Sequence, residues 1–118
     1  MSLPLTPAIL RAAYTFLRCT PPFRSWRLPP GDAVKFHVTR HRDREGDHGV
    51  ENGVHILRVS GRVIGHTNSL LIVMAHEMIH MHQEAQKVRA AHNPEFVRMA
   101  HRVCRYHGWD EKIFVGPI

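Results

Sequence analysis

Cysteine is scarce: the 118-residue chain has two, Cys19 and Cys104, far apart and outside any C-x-x-C spacing. That excludes a disulfide framework and a zinc ribbon, and both thiols read as small apolar residues of a reducing compartment. No uninterrupted apolar run reaches the ~18 residues that a membrane-spanning helix needs. The first residues lack a basic stretch, and Arg11 and Arg18 break the apolar segment that follows, so no signal peptide is expected. The expectation is a cytoplasmic protein with no membrane partner, and the sequence does not set the oligomeric state. Internal repeats and low-complexity tracts are lacking too. Acidic residues are in the minority, 10 against 16 Lys and Arg, for a net charge of +6. A surface of that sign favours polyanions, so DNA is an expected partner through the basic surface.

What the chain has in excess is histidine, 11 residues. Two of them stand in H-E-x-x-H, as His76-Glu77-Met78-Ile79-His80. On a helix a four-residue step turns about 400°, which sets His76 and His80 one turn apart on one face. Two imidazoles so placed can bind one Zn²⁺, and Glu77, about 100° round, can reach a water on the open side of the ion. The flanks fit a helix. Thr67, Asn68 and Ser69 are N-cap candidates, and apolar residues occupy both sides of the ligand line, as in a buried helix.

Length and composition suit a single domain over residues 1–118. Thr6-Pro7 opens a first helix, with Ile9, Ala12, Ala13, Phe16 and Leu17 as its apolar stripe. Pro21-Pro22 ends it, and Trp26, in the breaker-rich stretch that follows, is read as core. Residues 33–41 alternate as a half-buried strand, and 40–52 read as a mobile polar loop. Asn52-Gly53 marks a turn into a second strand over 54–60, and 62–65 suit a short third one. After the central helix, Asn93, Pro94 and Glu95 start another, with Phe96, Met99, Ala100, Val103 and Cys104 on one face and Gly108 at its end. Residues 109–118 carry no clear signal. The fold class is α+β: a small antiparallel sheet of about three strands packed with an N-terminal helix, the central H-E-x-x-H helix and a C-terminal helix.

A catalytic zinc takes three protein ligands and keeps one open position. Gln83 and Gln86 stand where a metzincin needs Gly and His, which excludes that class. Glu95 and His101 are candidates for the third ligand, and His92 is preferred because it lies in a bend just before a helix start. The motif followed, after eleven residues, by His92-Asn93-Pro94-Glu95-Phe96 resembles the SprT-like zinc metallopeptidase domain, a gluzincin-like family that pairs H-E-x-x-H with an H-G-x-x-F box. Asn93 replaces the glycine of that box. The order of helix, small sheet, active-site helix and ligand helix is similar over most of the chain.

The resemblance implies Zn²⁺ on His76, His80 and His92, with Glu77 as general base, in a peptidase acting on protein substrates. It also implies DNA-associated proteins as targets, because proteolytic members of the family act on proteins crosslinked to DNA. A peptide is expected to dock along a sheet edge at 54–60. His66, His101, Tyr106 and His107 are candidates for steadying the oxyanion. Two other classes stand beside this reading: a zinc-containing module that binds nucleic acid or protein without catalysis, and a metal-dependent hydrolase of a small molecule.

Overall fold

The computed structural model describes residues 4–88 and 91–115. Helix α1 runs Pro7–Arg18, strands β1 Lys35–Thr39, β2 Gly46–Glu51 and β3 Val54–Ser60 follow, and helices α2 Thr67–Ala85, α3 Pro94–His107 and α4 Glu111–Val115 complete the order. The α+β class stands.

Thr6 caps α1 by accepting the Ile9 N–H at 3.2 Å, with Pro7 at the first helical position. The stripe that faces the core is Leu10, Ala13, Tyr14 and Leu17, while Phe16 stands 53% exposed and Ala12 outside. The expected stripe thus lay about one residue off, a rotation of about 100°. Tyr14 explains the choice. Its ring can be buried because its hydroxyl donates to the Pro29 carbonyl at 2.5 Å. Trp26, half-buried, packs edge-on against Phe23 and stacks on His82, on the core side as expected.

The sheet has three strands in the order β1-β3-β2, and it is mixed rather than wholly antiparallel. β2 and β3 form the antiparallel hairpin across Asn52-Gly53, where both residues have positive φ (52° and 77°), as the expected turn requires. β1 runs parallel to β3, from Lys35 opposite Ile56 to Thr39 opposite Ser60. Three expectations are corrected here. The polar stretch 40–52 is not all loop, since its second half is β2; residues 62–65 form a turn that buries Ile64 instead of a strand. And Val54–Ser60 is the central strand, hydrogen-bonded on both sides, so it offers no free edge. The open edge beside the central helix belongs to β2.

α2 lies across the sheet and carries the middle of the core, with Val73, Met74, Ala75, Met78, Ile79 and Met81 all buried. It begins at Thr67 with His66 as N-cap and no side-chain cap, one residue before the earliest expected start. Asn68 instead accepts the Trp109 indole N–H at 3.1 Å. α3 follows its expected pattern: Asn93 accepts the Phe96 N–H at 2.9 Å, Phe96, Ala100, Val103 and Cys104 are buried, and Gly108 closes the helix at φ 76°. The short α4 was not foreseen. Its Phe114 is buried against the core and brings a carbonyl to α2.

Candidate metal centre

The half-exposed positions between Val73 and Met81 of α2 are His76 and His80, one turn apart, so the helix opens to the cleft along the line of its motif histidines. The bend before α3 folds His92 back over that line. One ligand atom from each of His76, His80 and His92 lies within 4.8 Å of the other two, and His76 Nε2 is 3.1 Å from His92 Nε2. Two metal–nitrogen bonds of about 2.1 Å at a tetrahedral angle set their nitrogens about 3.4 Å apart, so the trio has the span of a first coordination sphere.

The other ring nitrogens fix the tautomers. His76 Nδ1 is 2.9 Å from the Phe114 carbonyl, which can only accept, so Nδ1 carries the hydrogen and Nε2 a lone pair. His80 Nδ1 is 2.8 Å from Gln83 Oε1. Gln83 Nε2 reaches the Ala91 carbonyl at 3.2 Å and Asn93 Oδ1 at 3.4 Å, so the amide nitrogen donates there and Oε1 accepts from His80. Gln83 is 1% exposed, and this chain of bonds ties the second helix histidine to the bend that bears the third. Phe96 completes the support: its ring lies 4.6–4.9 Å from the rings of all three histidines.

Burial, and then the neighbouring histidines, hold His76 down to about 4 against the opposing effect of its hydrogen bond to the Phe114 carbonyl, and His80 is lowered by burial as well. Both rings are therefore neutral at pH 7. Glu77 is 7% exposed, and burial, with Asp47 adding to it, pushes its carboxyl up to about 8. A cation bound by the three imidazoles is the partner that would favour its charged form. Two neutral imidazoles with fixed tautomers, a third ring beside them and an adjacent carboxyl suit a borderline divalent metal with an open coordination position.

Glu77, His76 and His92 line a cleft of about 480 Å³, together with Val63, Ile72, Ile113 and the 42–45 segment. A second recess, of about 370 Å³, joins the three histidines and Glu77 to Gly46, Asp47 and His48 of β2. Gly46 lets the strand come this close. A Cβ there would stand 2.8 Å from both the Arg58 carbonyl oxygen and a Val73 methyl.

The rivals for third ligand are placed elsewhere: Glu95 is exposed and pairs with Arg98, and His101 is exposed and bonded to Glu111. The oxyanion candidates are also absent from the residues lining either recess. His66 is the exposed cap of α2, Tyr106 is 55% exposed, and His107 bonds Thr20 and stacks on Trp109. Sequence reasoning missed Gln83, the Phe114 carbonyl, Gly46 and His48. Gln83 had a signal, standing three residues after His80 on the same helix face. His48 had none while its segment read as loop.

The chain matches the family model described as the SprT-like family over residues 20–113. Among curated proteins, none matches it.

Proposed function

The chain belongs to the SprT-like family, and from that premise we propose that it is a zinc-dependent metallopeptidase that hydrolyses peptide bonds in protein substrates. In this reading His76, His80 and His92 are the metal ligands and Glu77 is the general base. The observation that carries it is the pairing of two facts at one place. The trio's nitrogens lie within 4.8 Å with the tautomers of His76 and His80 held from behind, and a buried carboxyl shares their recess. A site that only braced the fold would need no such carboxyl.

Bound zinc supplies Lewis-acid chemistry, lowering the pKa of a coordinated water to about 7 and polarising a carbonyl. The residues do the rest. Glu77 takes the proton of the attacking water and delivers it to the leaving amine, so one carboxylate serves as base and then as acid. The buried wall of α2 keeps it close to the reacting atoms. An extended peptide adds to the free edge of β2 by main-chain hydrogen bonds. Antiparallel to that strand, it runs from the His48 end toward Gly46, so its C-terminal half enters the cleft walled by Val63, Ile72 and Ile113.

DNA-associated proteins are the proposed targets, on the support of the +6 charge. Among the described residues no helix is long and apolar enough to cross a membrane, which is compatible with the proposed cytoplasmic location. The test is hydrolysis of an unfolded protein by the zinc-loaded chain and its Glu77→Gln variant. Cleavage by the first alone, with zinc equal in both, is the expected result. Equal inertness across a peptide library with zinc bound would favour a binding module, and turnover of a nucleotide panel instead of peptides would favour the small-molecule hydrolase. A salt-independent absence of DNA affinity would remove the DNA arm alone.

A further inference from the structure

Hydrolysis of an amide builds negative charge on the carbonyl oxygen, and peptide hydrolysis gains from a hydrogen-bond donor aimed at that oxygen in addition to the metal. Every donor nominated by sequence lies outside the recesses. His48 lies inside. It is half-buried on β2, and it lines the recess formed with His76, Glu77, His80 and His92. The remaining lining residues there are Gly46, which has no side chain, and Asp47, whose carboxylate is held by Arg58 at 2.6 Å. Among the described residues, His48 is thus the one side chain of that recess, beyond the trio, with an N–H to give.

The ring is anchored by a neighbour on β3. His48 Nε2 lies 2.8 Å from His55 Nδ1, across the hairpin, with the rings stacked at 5.0 Å. One of the two nitrogens carries the shared hydrogen. When His55 donates it, the hydrogen of His48 is on Nδ1, the nitrogen that the pair leaves unused. A growing anion in the recess selects that tautomer. Burial, then His55 and His80, keep His48 down to about 4, so the ring stays neutral and adds no cation beside the metal.

We propose that His48, held by His55, is a further catalytic residue that donates its Nδ1–H to the oxyanion formed during peptide hydrolysis. The inference rests on the metallopeptidase reading, and it concerns charge stabilisation rather than proton transfer. His55 is a positioning residue.

The test uses the zinc-loaded full chain and the fastest-cut peptide of a fluorogenic library. His48→Leu should lower kcat by about 10²–10³-fold, the loss seen when one oxyanion donor is removed, with KM within about threefold and zinc content unchanged. An Asn amide nitrogen sits near the place of Nδ1 and a Gln nitrogen near that of Nε2. His48→Asn should therefore recover about tenfold or more over Leu, and His48→Gln should not, a comparison that also decides the matter if the Leu variant does not fold. A kcat of the Leu variant within about threefold of wild type, or a Gln variant as active as Asn, overturns the proposal. A wild-type chain that cuts nothing would defeat the peptidase reading, and His48 is then read by binding. A phosphinic pseudo-tripeptide, a tetrahedral anion, should bind zinc-loaded wild type about 30-fold more tightly than the Leu variant, and equal affinity overturns the assignment.

Discussion

Among the described residues, two pairs of histidine nitrogens approach within hydrogen-bond distance, and they are built in opposite ways. His48 and His55 meet across a β-hairpin at 2.8 Å, and among the described residues no acceptor holds either ring from behind. One ring gives a hydrogen and the other takes it, which leaves one N–H and one lone pair of the two rings unused. His76 and His92 meet at 3.1 Å, but the hydrogen of His76 is already spent on the Phe114 carbonyl, and that of His80 on Gln83. Those two rings turn bare lone pairs to one point. A pair that shares one hydrogen keeps a donor for an anionic ligand, whereas converging lone pairs suit a cation. The difference between a ligand set and a histidine cluster therefore lies in the acceptors behind the rings, not in the spacing between them.

The comparison can be broken in several places. The largest effect is expected from Glu77→Gln, which removes the proposed base and should lower kcat by about 10²–10⁴-fold. Zinc content measured on the same sample should not change. Next comes Gln83→Leu, which leaves His80 Nδ1 without its acceptor. Zinc affinity, read by competition with a chromophoric chelator, should fall about 10–100-fold. His55→Leu is the matching change in the other pair, and it should leave zinc affinity within about twofold. If the two variants lose metal alike, the contrast between the pairs is wrong.

Metal removal should act on stability in the same sense. With zinc held by the folded trio, as proposed, the melting temperature should rise with zinc concentration in wild type and hardly at all in His92→Ala. Differential scanning calorimetry at several zinc concentrations checks this.

The smallest effect concerns acid. Burial holds His48 at about 4 in the fold, against an ordinary value of 6.5. Below pH 6.5 the unfolded chain takes a proton there that the folded chain refuses. The contribution to stability is therefore full above about 6.5 and lost as pH falls toward 4. Asp47 opposes the shift, and His55, His80 and Arg58 add to it. Denaturant midpoints of the metal-free protein should drop over that window, and less steeply in His48→Gln.

How much of this was legible depended on whether the determinant is local. The central helix, its two histidines and Glu77 form a five-residue pattern whose geometry follows from the helical repeat alone. His92 followed from Asn93 and Pro94, which fix a helix start, and hence a bend, by local backbone chemistry. The hairpin turn was legible for the same reason, because Asn52-Gly53 tolerates positive φ. β2 was not. Gly46-Asp47-His48-Gly49 has little strand propensity, and the segment is a strand because β3 pairs with it and α2 leaves room only for hydrogen at Gly46. With β2 unseen, β3 took the place of the edge, and His48 was lost from the site. The orientation of α1 was missed by one residue for a similar reason: two overlapping stripes fit the sequence, and the Pro29 carbonyl that accepts from Tyr14 decides between them. Likewise α4 enters the site through a backbone carbonyl, which no side-chain pattern announces.

The central claim is that three imidazoles converge on one metal ion. Anomalous diffraction at the zinc edge from crystals of the zinc-loaded chain tests it most directly. The account predicts one full-occupancy peak about 2.0–2.1 Å from a nitrogen of each of His76, His80 and His92. A peak that omits His92, or zinc bound at His48 and His55 with the trio empty, would contradict it.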